Sequence, residues 1–390
     1  EVIVRPMADG GEGTLDAFLA AIPGATLRPM RATGADGERH DSAWVLVPPE
    51  GSWGGTTAVI ELASTSGIEA LQGRLRPWDA DTTGVGEAIV DALRAGVSRI
   101  MVGLGSSAST DGGAGILRAL GARILDADGE PIAPGLRGLR DVTSVDLSGL
   151  ASLPSGGVMV LADVDTPLCG PRGAAAVFGP QKGLRVHEIA GADAALAAWA
   201  AKMGTPPDVP GAGAAGGAGF AMHVWGAKIV SGARYVAELI GLPRLLTPDT
   251  IVVTGEGAYD RATTAGKVPE VVARLAQRTG ARAALVAGRV DGAADTHAFA
   301  AALSLAEIAG DPAAALASPE RYLEAAELIA EEAIIVERRG EKLKRRYTGE
   351  LKTDKGEFRS GAVWLPWVAE AQATHDFPRD GEHVLRFSGW

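Results

Sequence analysis

The order of segments along the chain constrains the fold most. A short β-branched run is followed by a glycine-rich or acidic turn and then by an Ala- and Leu-rich stretch, and this order recurs. The runs typical of buried strands are residues 2–5, 58–62, 99–104, 158–162, 251–254 and 283–287. Helices are predicted from the turns to about Ala21 and about Leu120, and over about 269–277. This alternation predicts an α/β protein with a mostly parallel sheet, in which ligands bind beyond the carboxyl ends of the strands.

Composition narrows the class of protein. The 390 residues are 46% hydrophobic and 22% charged, which is enough for two packed domains. The net charge of −11 disfavours nucleic acid and a membrane surface as partners. The single cysteine, Cys169, fits a reducing cytoplasm and excludes a cysteine-based zinc site, and the six histidines show no metal-ligand spacing. No apolar run approaches the ~20 residues of a membrane span.

The segment from Gly105 to Gly115 is the strongest candidate for a phosphate-binding loop. Glycine lets the backbone approach an anion, hydroxyls donate hydrogen bonds, and the helix that follows offers unpaired N–H groups. The candidate cofactor-binding residues are Gly105, Ser106, Ser107, Ser109, Thr110 and Asp111. An ordinary strand-to-helix turn capped by Ser109 or Asp111 is an equally good interpretation of the segment taken alone. No Walker-type G-x-x-x-x-G-K-[ST] motif occurs, so the chain is not a P-loop NTPase.

Carboxylates follow two further strands. Asp163 and Asp165 are placed by alternation on the same side of the chain, a spacing suited to a general base and a contact to Mg²⁺. A pair of turn aspartates before Pro167 is the simpler interpretation on spacing alone. Glu256 and Asp260 are candidate Mg²⁺ ligands, and Lys267 is a candidate partner for phosphate charge. The alternative for these three is a helix N-terminus with ordinary surface charges.

Three other glycine-rich segments are notable. Residues 9–14, Asp-Gly-Gly-Glu-Gly-Thr, form an acidic turn with more glycine than a helix cap requires. Residues 179–183, Gly-Pro-Gln-Lys-Gly, form a second loop, and 210–219 is either a third functional loop or a plain flexible linker.

Taken together and in order, these motifs resemble the glycerate kinase family. The matching segments, collinear over roughly residues 2–328, are 6–14, 63–68, 83–87, 103–115, 163–168, 174–183, 210–219 and 254–269. The resemblance implies transfer of the γ-phosphoryl group of ATP to D-glycerate with Mg²⁺, with 2-phosphoglycerate the favoured product. It also implies two α/β domains flanking a cleft, one of them a doubly wound parallel sheet inserted into the other. The expected bounds are 1–78 with 290–331 for the discontinuous domain, 79–289 for the inserted domain, and 332–390 for an unassigned charged and aromatic tail.

Within this interpretation each candidate residue has an expected role. Asp163, Asp165 and Lys267 are expected to be catalytic, and Asp9, Glu12 and Ser66 to line the substrate side. Gly255 and Gly257 join the loop residues above as cofactor-binding residues, and Glu256 with Asp260 holds the metal. The expected partners are D-glycerate and ATP, with neither nucleic acid nor membrane; a homo-oligomer is compatible with the sequence.

The chain departs from the family pattern in several places. The pattern usually opens with a strand ending in Pro-Asp and followed by Phe-Lys, which in register would precede Val2. Gly105-Ser106-Ser107 stands where Gly-Gly-Ser is common, Thr166 where Asn is common, and Ala258 and Ala262 where Arg and Gln are usual. These departures leave open a relative that binds ligand or a partner without turnover. A dinucleotide-dependent oxidoreductase is disfavoured, since no strand is followed by G-x-G-x-x-G with an acidic residue about 20 positions later.

Overall fold

The computed structural model describes residues 3–49, 55–260, 266–323 and 326, and the backbone of four short strands between 344 and 369. The chain divides into two compact units. The larger unit comprises residues 6–236, and the smaller unit comprises residues 1–5 and 237–390.

A six-stranded mixed sheet forms the framework of the larger unit. Its strand order is β1-β2-β3-β4-β7-β8; β1–β2 and β2–β3 pair antiparallel, and the remaining pairs are parallel. β5 and β6 form a separate antiparallel pair. The strands are β1 (Thr26–Thr33), β2 (Arg39–Val47), β3 (Thr57–Glu61), β4 (Arg99–Gly103), β5 (Arg123–Leu125), β6 (Ser144–Asp146), β7 (Val158–Leu161) and β8 (Lys228–Val230).

Helices connect and cover these strands. They are α1 (Thr14–Ala21), α2 (Ala63–Ser66), α3 (Thr83–Arg94), α4 (Ala114–Ala119), α5 (Gly135–Leu139), α6 (Ala174–Phe178), α7 (Val186–Met203), α8 (Ala218–Trp225) and α9 (Gly232–Leu239). Short 3₁₀ turns cover Glu69–Leu71, Pro180–Lys182 and Ala214–Gly217. α9 begins in the larger unit and ends in the smaller one.

The core of the larger unit lies on the central parallel strands. Ile60 of β3 and Ile100 and Val102 of β4 are completely buried, as are Val85 and Ile89 on the inner face of α3. Each such side chain contributes about 1.5–3 kcal/mol through burial. These strands are therefore fixed, and so are the loops at their carboxyl ends.

The smaller unit contains a three-stranded parallel sheet of order β11-β10-β9. Its elements are α10 (Leu242–Leu245), β9 (Ile251–Tyr259), α11 (Val268–Thr279), β10 (Arg282–Val290), β11 (Ala301–Ser304), α12 (Leu305–Ala309) and α13 (Pro312–Ala317). In the predicted tail, β12 (Lys344–Tyr347) pairs with β15 (Val363–Ala369), and β13 (Glu350–Thr353) pairs with β14 (Gly356–Arg359), both antiparallel. The rest of 332–390 and Ala262 lie outside the described residues.

The predicted α/β class and parallel sheet are confirmed, whereas several details differ. The described part of the strand expected over residues 2–5, residues 3–5, has no regular secondary structure, and the hairpin of β1 and β2 was not predicted. Residues 255–257, expected in a turn, lie within β9 because their backbone pairs with β10. The expected boundary at 78/79 falls between β3 and β4, which pair in one sheet, and the one at 289/290 falls inside β10.

Candidate active site

Two glycine-rich segments of the larger unit meet at the carboxyl end of β4. The Gly105 N–H donates a hydrogen bond to the Gly10 carbonyl at 2.9 Å. A Cβ added at Gly103 would lie 2.4 Å from the Gly10 carbonyl oxygen, and one at Gly105 would lie 2.3 Å from the Gly11 Cα. Because backbone cannot yield as a side chain can, this approach requires glycine at both Gly103 and Gly105. The predicted phosphate loop and the acidic turn of residues 9–14 are therefore packed against each other.

The segment around Ser66 lies on the other side of the same loop. The Ala108 N–H donates to the Ser66 carbonyl and the Ile68 N–H donates to the Ser106 carbonyl, each at 2.9 Å. Ser106 is exposed and has φ +57°, a left-handed conformation that costs a residue with a side chain free energy. Backbone strain of this kind persists only where the surrounding contacts impose it, and here the contacts come from residues 66–68.

Below this exposed turn lies a buried lysine, Lys182, which is 2% exposed. Its Nζ donates to the Ser107 hydroxyl and to the Ser109 carbonyl, both at 2.6 Å. Burial lowers the pKa of Lys182 to about 7, and the negative charge of Asp111 partly opposes this effect. The sequence marked residues 179–183 as a loop but gave Lys182 no role; a lysine between Pro180 and Gly183 in a glycine-rich loop was the available signal.

Three hydroxyls of the loop region are buried without a hydrogen-bond partner among the described residues. They belong to Ser66, Ser109 and Thr110, each of which is 0% exposed. A buried hydroxyl without a partner costs free energy, so native proteins seldom retain one without a reason. Hydroxyls are also the donors that an oxyanion accepts from, which fits the predicted phosphate site.

Asp111 has internal partners instead. Its Oδ2 accepts from the Thr82 N–H and hydroxyl and from the Gly115 N–H, and its Oδ1 accepts from the Gly113 N–H, at 2.8–3.1 Å. Burial and the charge of Asp81 raise the pKa of Asp111. This arrangement agrees with the capping interpretation of Asp111 that the sequence left open.

Asp163 lies just beyond β7, at the beginning of α9. Its Oδ1 accepts from the Ser231 hydroxyl and the Gly232 N–H, each at 2.9 Å, and its Oδ2 accepts from the Ala233 N–H at 3.2 Å. Burial raises the pKa of Asp163 to about 6, and the negative charge of Asp9 adds to the shift. Asp165 is exposed, so the two carboxylates do not share an environment as alternation had predicted. The reason is that β7 ends at Leu161, before either aspartate.

The acidic turn of residues 9–14 also lies near α9. A Cβ added at Gly232 would lie 1.9 Å from the Asp9 carbonyl oxygen, so Asp9 and Asp163 both contact Gly232. The Asp9 Oδ1 accepts from the Gly11 N–H at 3.0 Å, and Glu12 is exposed. The structure thus brings Asp9 and Asp163 to one edge of the sheet.

Sequence reasoning overlooked Glu61, the last residue of β3. Its Oε1 accepts from the Gly13 N–H at 3.3 Å and its Oε2 from the Leu15 N–H at 3.0 Å, which places the carboxylate on the first turn of α1. Burial raises its pKa. A glutamate ending an otherwise apolar strand was the signal, and its contacts hold the acidic turn in place.

The remaining predicted residues belong to the smaller unit. Gly255 lies in β9, where an added Cβ would meet the Val286 carbonyl oxygen at 2.0 Å, and Gly257 lies in the same strand. The Lys267 Nζ lies 3.8 Å from Glu256 Oε2, and Asp260 directly follows β9. Within the described residues, no group of three or more His, Cys, Asp or Glu side chains could hold a metal ion. Any Mg²⁺ here would depend on one or two carboxylates, as is usual when a phosphate supplies other ligands.

Comparisons with known proteins agree with the fold and with the motif order. A family model described as the glycerate kinase family matches residues 1–333. The chain is 40% identical over 281 residues to glycerate 2-kinase of Escherichia coli K12, covering 70% of this chain and 72% of that protein. It is 39% identical over 280 residues to glycerate kinase of Bacillus subtilis 168, with the same two coverages, 70% and 72%.

A crystal structure assigned as glycerate kinase 2 from Salmonella typhimurium LT2 is similar, with a TM-score of 0.66 and 38% identity. The match covers 77% of this chain and 79% of that one. In the part of the chain that the structure describes, no helix combines the length and the apolar run needed to cross a bilayer. On the extent of these matches, the chain belongs to the glycerate kinase family.

Proposed function

We propose that this protein transfers the γ-phosphoryl group of ATP to D-glycerate, and that the product is 2-phosphoglycerate. Family membership supports a kinase that acts on glycerate, and the name of the E. coli relative supports the position of transfer. The observation that carries the proposal in this chain is the loop Gly105–Thr110. It combines an exposed left-handed turn with buried hydroxyls that have no partner among the described residues, at the carboxyl end of β4, which pairs with parallel neighbours.

The loop would bind the phosphates of ATP. Ser106 is exposed and Gly105 is partly exposed, whereas Ser107, Ser109 and Thr110 are buried. Backbone N–H groups and hydroxyls stabilise phosphate oxygens most effectively when they are already in place before binding. The interlocked glycine contacts supply that preorganisation, since they leave the loop no room to move toward Gly10 and Gly11.

Asp163 would act as the base for the hydroxyl of glycerate. In the transfer the hydroxyl oxygen forms a bond to the γ-phosphorus, the bond from that phosphorus to the bridging oxygen of ADP breaks, and Asp163 takes the hydroxyl proton. A pKa of about 6 leaves the carboxylate mostly ionised at neutral pH and brings its basicity closer to that of an effective base. Asp9, Glu12 and Ser66 would line the glycerate side, with Asp165 as the alternative base.

Magnesium would be held in the smaller unit. Glu256 and Asp260 offer carboxylate oxygens, the ligands that Mg²⁺ prefers, and Lys267 near Glu256 would meet phosphate charge. Bound Mg²⁺ supplies charge neutralisation of the phosphates. Gly257 would let the nucleotide approach the backbone of β9, whereas at Gly255 the Val286 carbonyl oxygen takes the space of a side chain. We place the reaction in the cytoplasm, in keeping with a lone Cys169.

The test is a coupled assay with ATP, Mg²⁺ and D-glycerate, followed by identification of the phosphorylated position by phosphorus NMR. We expect ADP to form in step with 2-phosphoglycerate. A parallel melting experiment separates the alternatives, because a ligand bound only by the folded protein raises the melting temperature. A shift with Mg·ATP but no ADP formation would indicate a binding protein without turnover, and no shift at millimolar nucleotide would refute both interpretations.

A further inference from the structure

Lys182 is a buried cation whose hydrogen bonds, within the described residues, go only to neutral groups. Its ammonium is bonded to the Ser107 hydroxyl and the Ser109 carbonyl, both neutral groups. Among the described residues no carboxylate lies within salt-bridge distance of it. Asp111, the acidic group that acts on it electrostatically, gives its oxygens to Thr82, Gly113 and Gly115. A buried charge without a counter-ion is costly, so a buried lysine at this place favours an anion supplied from outside.

The backbone holds this lysine in place. Lys182 ends the 3₁₀ turn Pro180–Lys182, and Gly183 follows with φ +101°. A Cβ added at Gly183 would lie 3.0 Å from the Leu75 Cβ, so the chain reverses where little space remains. A turn that only glycine can complete directs the side chain inward, so the burial of Lys182 follows from the backbone conformation.

The contacts of Lys182 are with the loop that contains the unpartnered hydroxyls. It binds the side chain of Ser107 and the backbone of Ser109, and the hydroxyls of Ser109 and Thr110 remain without partners among the described residues. The Ser66 hydroxyl also has no partner within the described residues, and the carbonyl of Ser66 accepts from the Ala108 N–H. One ammonium and three hydroxyls, all buried, therefore lie in and around one turn.

We propose that Lys182 is a positioning residue for a nucleotide phosphate bound at the loop Gly105–Thr110: it fixes Ser107 and Ser109 and places a positive charge beneath the bound oxyanion. The inference rests on the nucleotide assignment made under the proposed function. Lys182 acts through Ser107 and the loop backbone, since its ammonium already donates to the Ser107 hydroxyl and the Ser109 carbonyl. Its charge would offset the negative charge that the phosphate brings into a site already facing Asp111.

Binding of an anion near Lys182 should change the protonation of its amino group. The Lys182 pKa of about 7 in the free protein would rise when an anion binds nearby, because a neighbouring negative charge favours the charged form. Above about pH 7, ATP binding would therefore take up a proton, and affinity would fall as pH rises. Asp111, with its neighbour Asp81, is the acidic group facing the ammonium. Burial, and after it the charge of Asp81, raise the pKa of Asp111 from an ordinary value near 3.8.

The experiment is calorimetry of Mg·ATP binding without glycerate, between about pH 7.5 and about pH 9.5, in two buffers that differ in ionisation enthalpy. In this pH range the phosphates are fully ionised, because the second pKa of a phosphate group is about 6. For the unmodified protein we expect affinity to fall by up to about tenfold per pH unit and uptake to approach one proton. In Lys182→Met, binding should weaken by about tenfold or more, and the proton uptake should vanish.

Lys202→Met is the matched control, because the Lys202 ammonium donates to the Thr143 carbonyl from an exposed position. It should keep both the affinity and the proton uptake of the unmodified protein. If Lys182→Met does not fold, the measurement on the unmodified protein decides the matter. A pH-independent affinity without proton uptake there, or an unchanged uptake in folded Lys182→Met, would overturn the inference.

This outcome is separable from that of the proposed function. If the protein binds ATP with the expected proton uptake but does not phosphorylate D-glycerate, the role of Lys182 is supported and the proposed reaction is refuted. If the protein phosphorylates D-glycerate but takes up no proton when it binds ATP, the proposed reaction is supported and this role of Lys182 is refuted.

Discussion

The Asp163 carboxylate accepts hydrogen bonds from both the hydroxyl of Ser231 and the N–H of Gly232, each at 2.9 Å. These contacts orient the carboxylate at the N-terminus of α9 while burial raises its pKa to about 6. Helix N-terminal donors stabilise the ionised form and burial disfavours it, and here burial has the larger effect. The result is an oriented carboxylate that is more basic than an ordinary aspartate.

Replacing Asp163 with Asn should lower turnover by about 10²-fold or more, because the amide cannot accept a proton. The Asn side-chain oxygen can still accept from Ser231 and Gly232, so we expect the variant to remain folded. Steady-state kinetics with D-glycerate, together with thermal melting, checks both statements. Asp128→Asn, at an exposed position, is the control and should be unaffected. Near-normal turnover in Asp163→Asn would transfer the base role to Asp165.

The pH dependence of the reaction should report the same group. A base works when deprotonated, so kcat/KM for glycerate should fall as the pH drops through about 6, approaching tenfold per pH unit below it. The measurement is kcat/KM from pH 5 to pH 8, an interval of about three units around the pKa of Asp163. The residual activity of Asp163→Asn should lack this acidic limb. A limb of the same shape in that variant would mean that another group titrates.

Two buried threonines provide a matched test of the loop. Thr110, in the loop, and Thr57, at the amino end of β3, are each 0% exposed, and neither hydroxyl has a partner in the part of the chain that the structure describes. Replacing either with Val removes the cost of that hydroxyl, so both variants should keep or slightly raise the melting temperature. Only Thr110→Val should weaken the binding of ATP, by about fivefold or more, as expected for the loss of one hydrogen bond. Equal KM values for ATP in the two variants would argue against Thr110 as a ligand.

Substitutions at two glycines test the close backbone contact between the loop Gly105–Thr110 and the acidic turn of residues 9–14. Gly105→Ala would place a Cβ 2.3 Å from the Gly11 Cα, and we expect a loss of about 2 kcal/mol or more in the free energy of unfolding. Gly191 lies in α7 with nothing within 4 Å of an added Cβ, so Gly191→Ala should stabilise by about 0.5–1 kcal/mol through helix propensity. Urea unfolding of both variants measures the contrast. A neutral Gly105→Ala would show that the two segments can separate at little cost.

The proposed magnesium ligands can be tested without a structure of the complex. Glu256→Gln should raise the Mg²⁺ concentration needed for half-maximal activity several-fold, since a neutral amide is a poorer ligand for this ion. Glu307→Gln, which removes a carboxylate from the exposed side of α12, should leave the Mg²⁺ requirement unchanged. A Mg²⁺ titration of the rate distinguishes them. Identical titrations for both variants would place the metal elsewhere.

Local pattern was enough to predict much of the fold. The β-branched runs predicted β3, β4, β7 and β10 to within a few residues, because buried parallel strands leave a nearly continuous apolar signal. The hairpin of β1 and β2 left no such signal, since β1 is largely exposed and its residues vary in polarity. The extent of β9 was also missed, because Gly255, in a sequence that usually marks a turn, is here required by the close approach of Val286 in β10.

The sequence by itself determined the α/β class, the family and which loops carry candidate chemistry, because these depend on residue types in a fixed order along the chain. Only the tertiary structure separated Asp163 from Asp165, gave Asp111 its capping partners and placed Lys182 beneath Ser107. Those distinctions depend on burial and on donors from segments 29–75 residues away. Spacing along a chain carries no record of solvent exposure or of distant partners, and these decide whether a polar side chain stabilises the fold or remains free to act on a ligand.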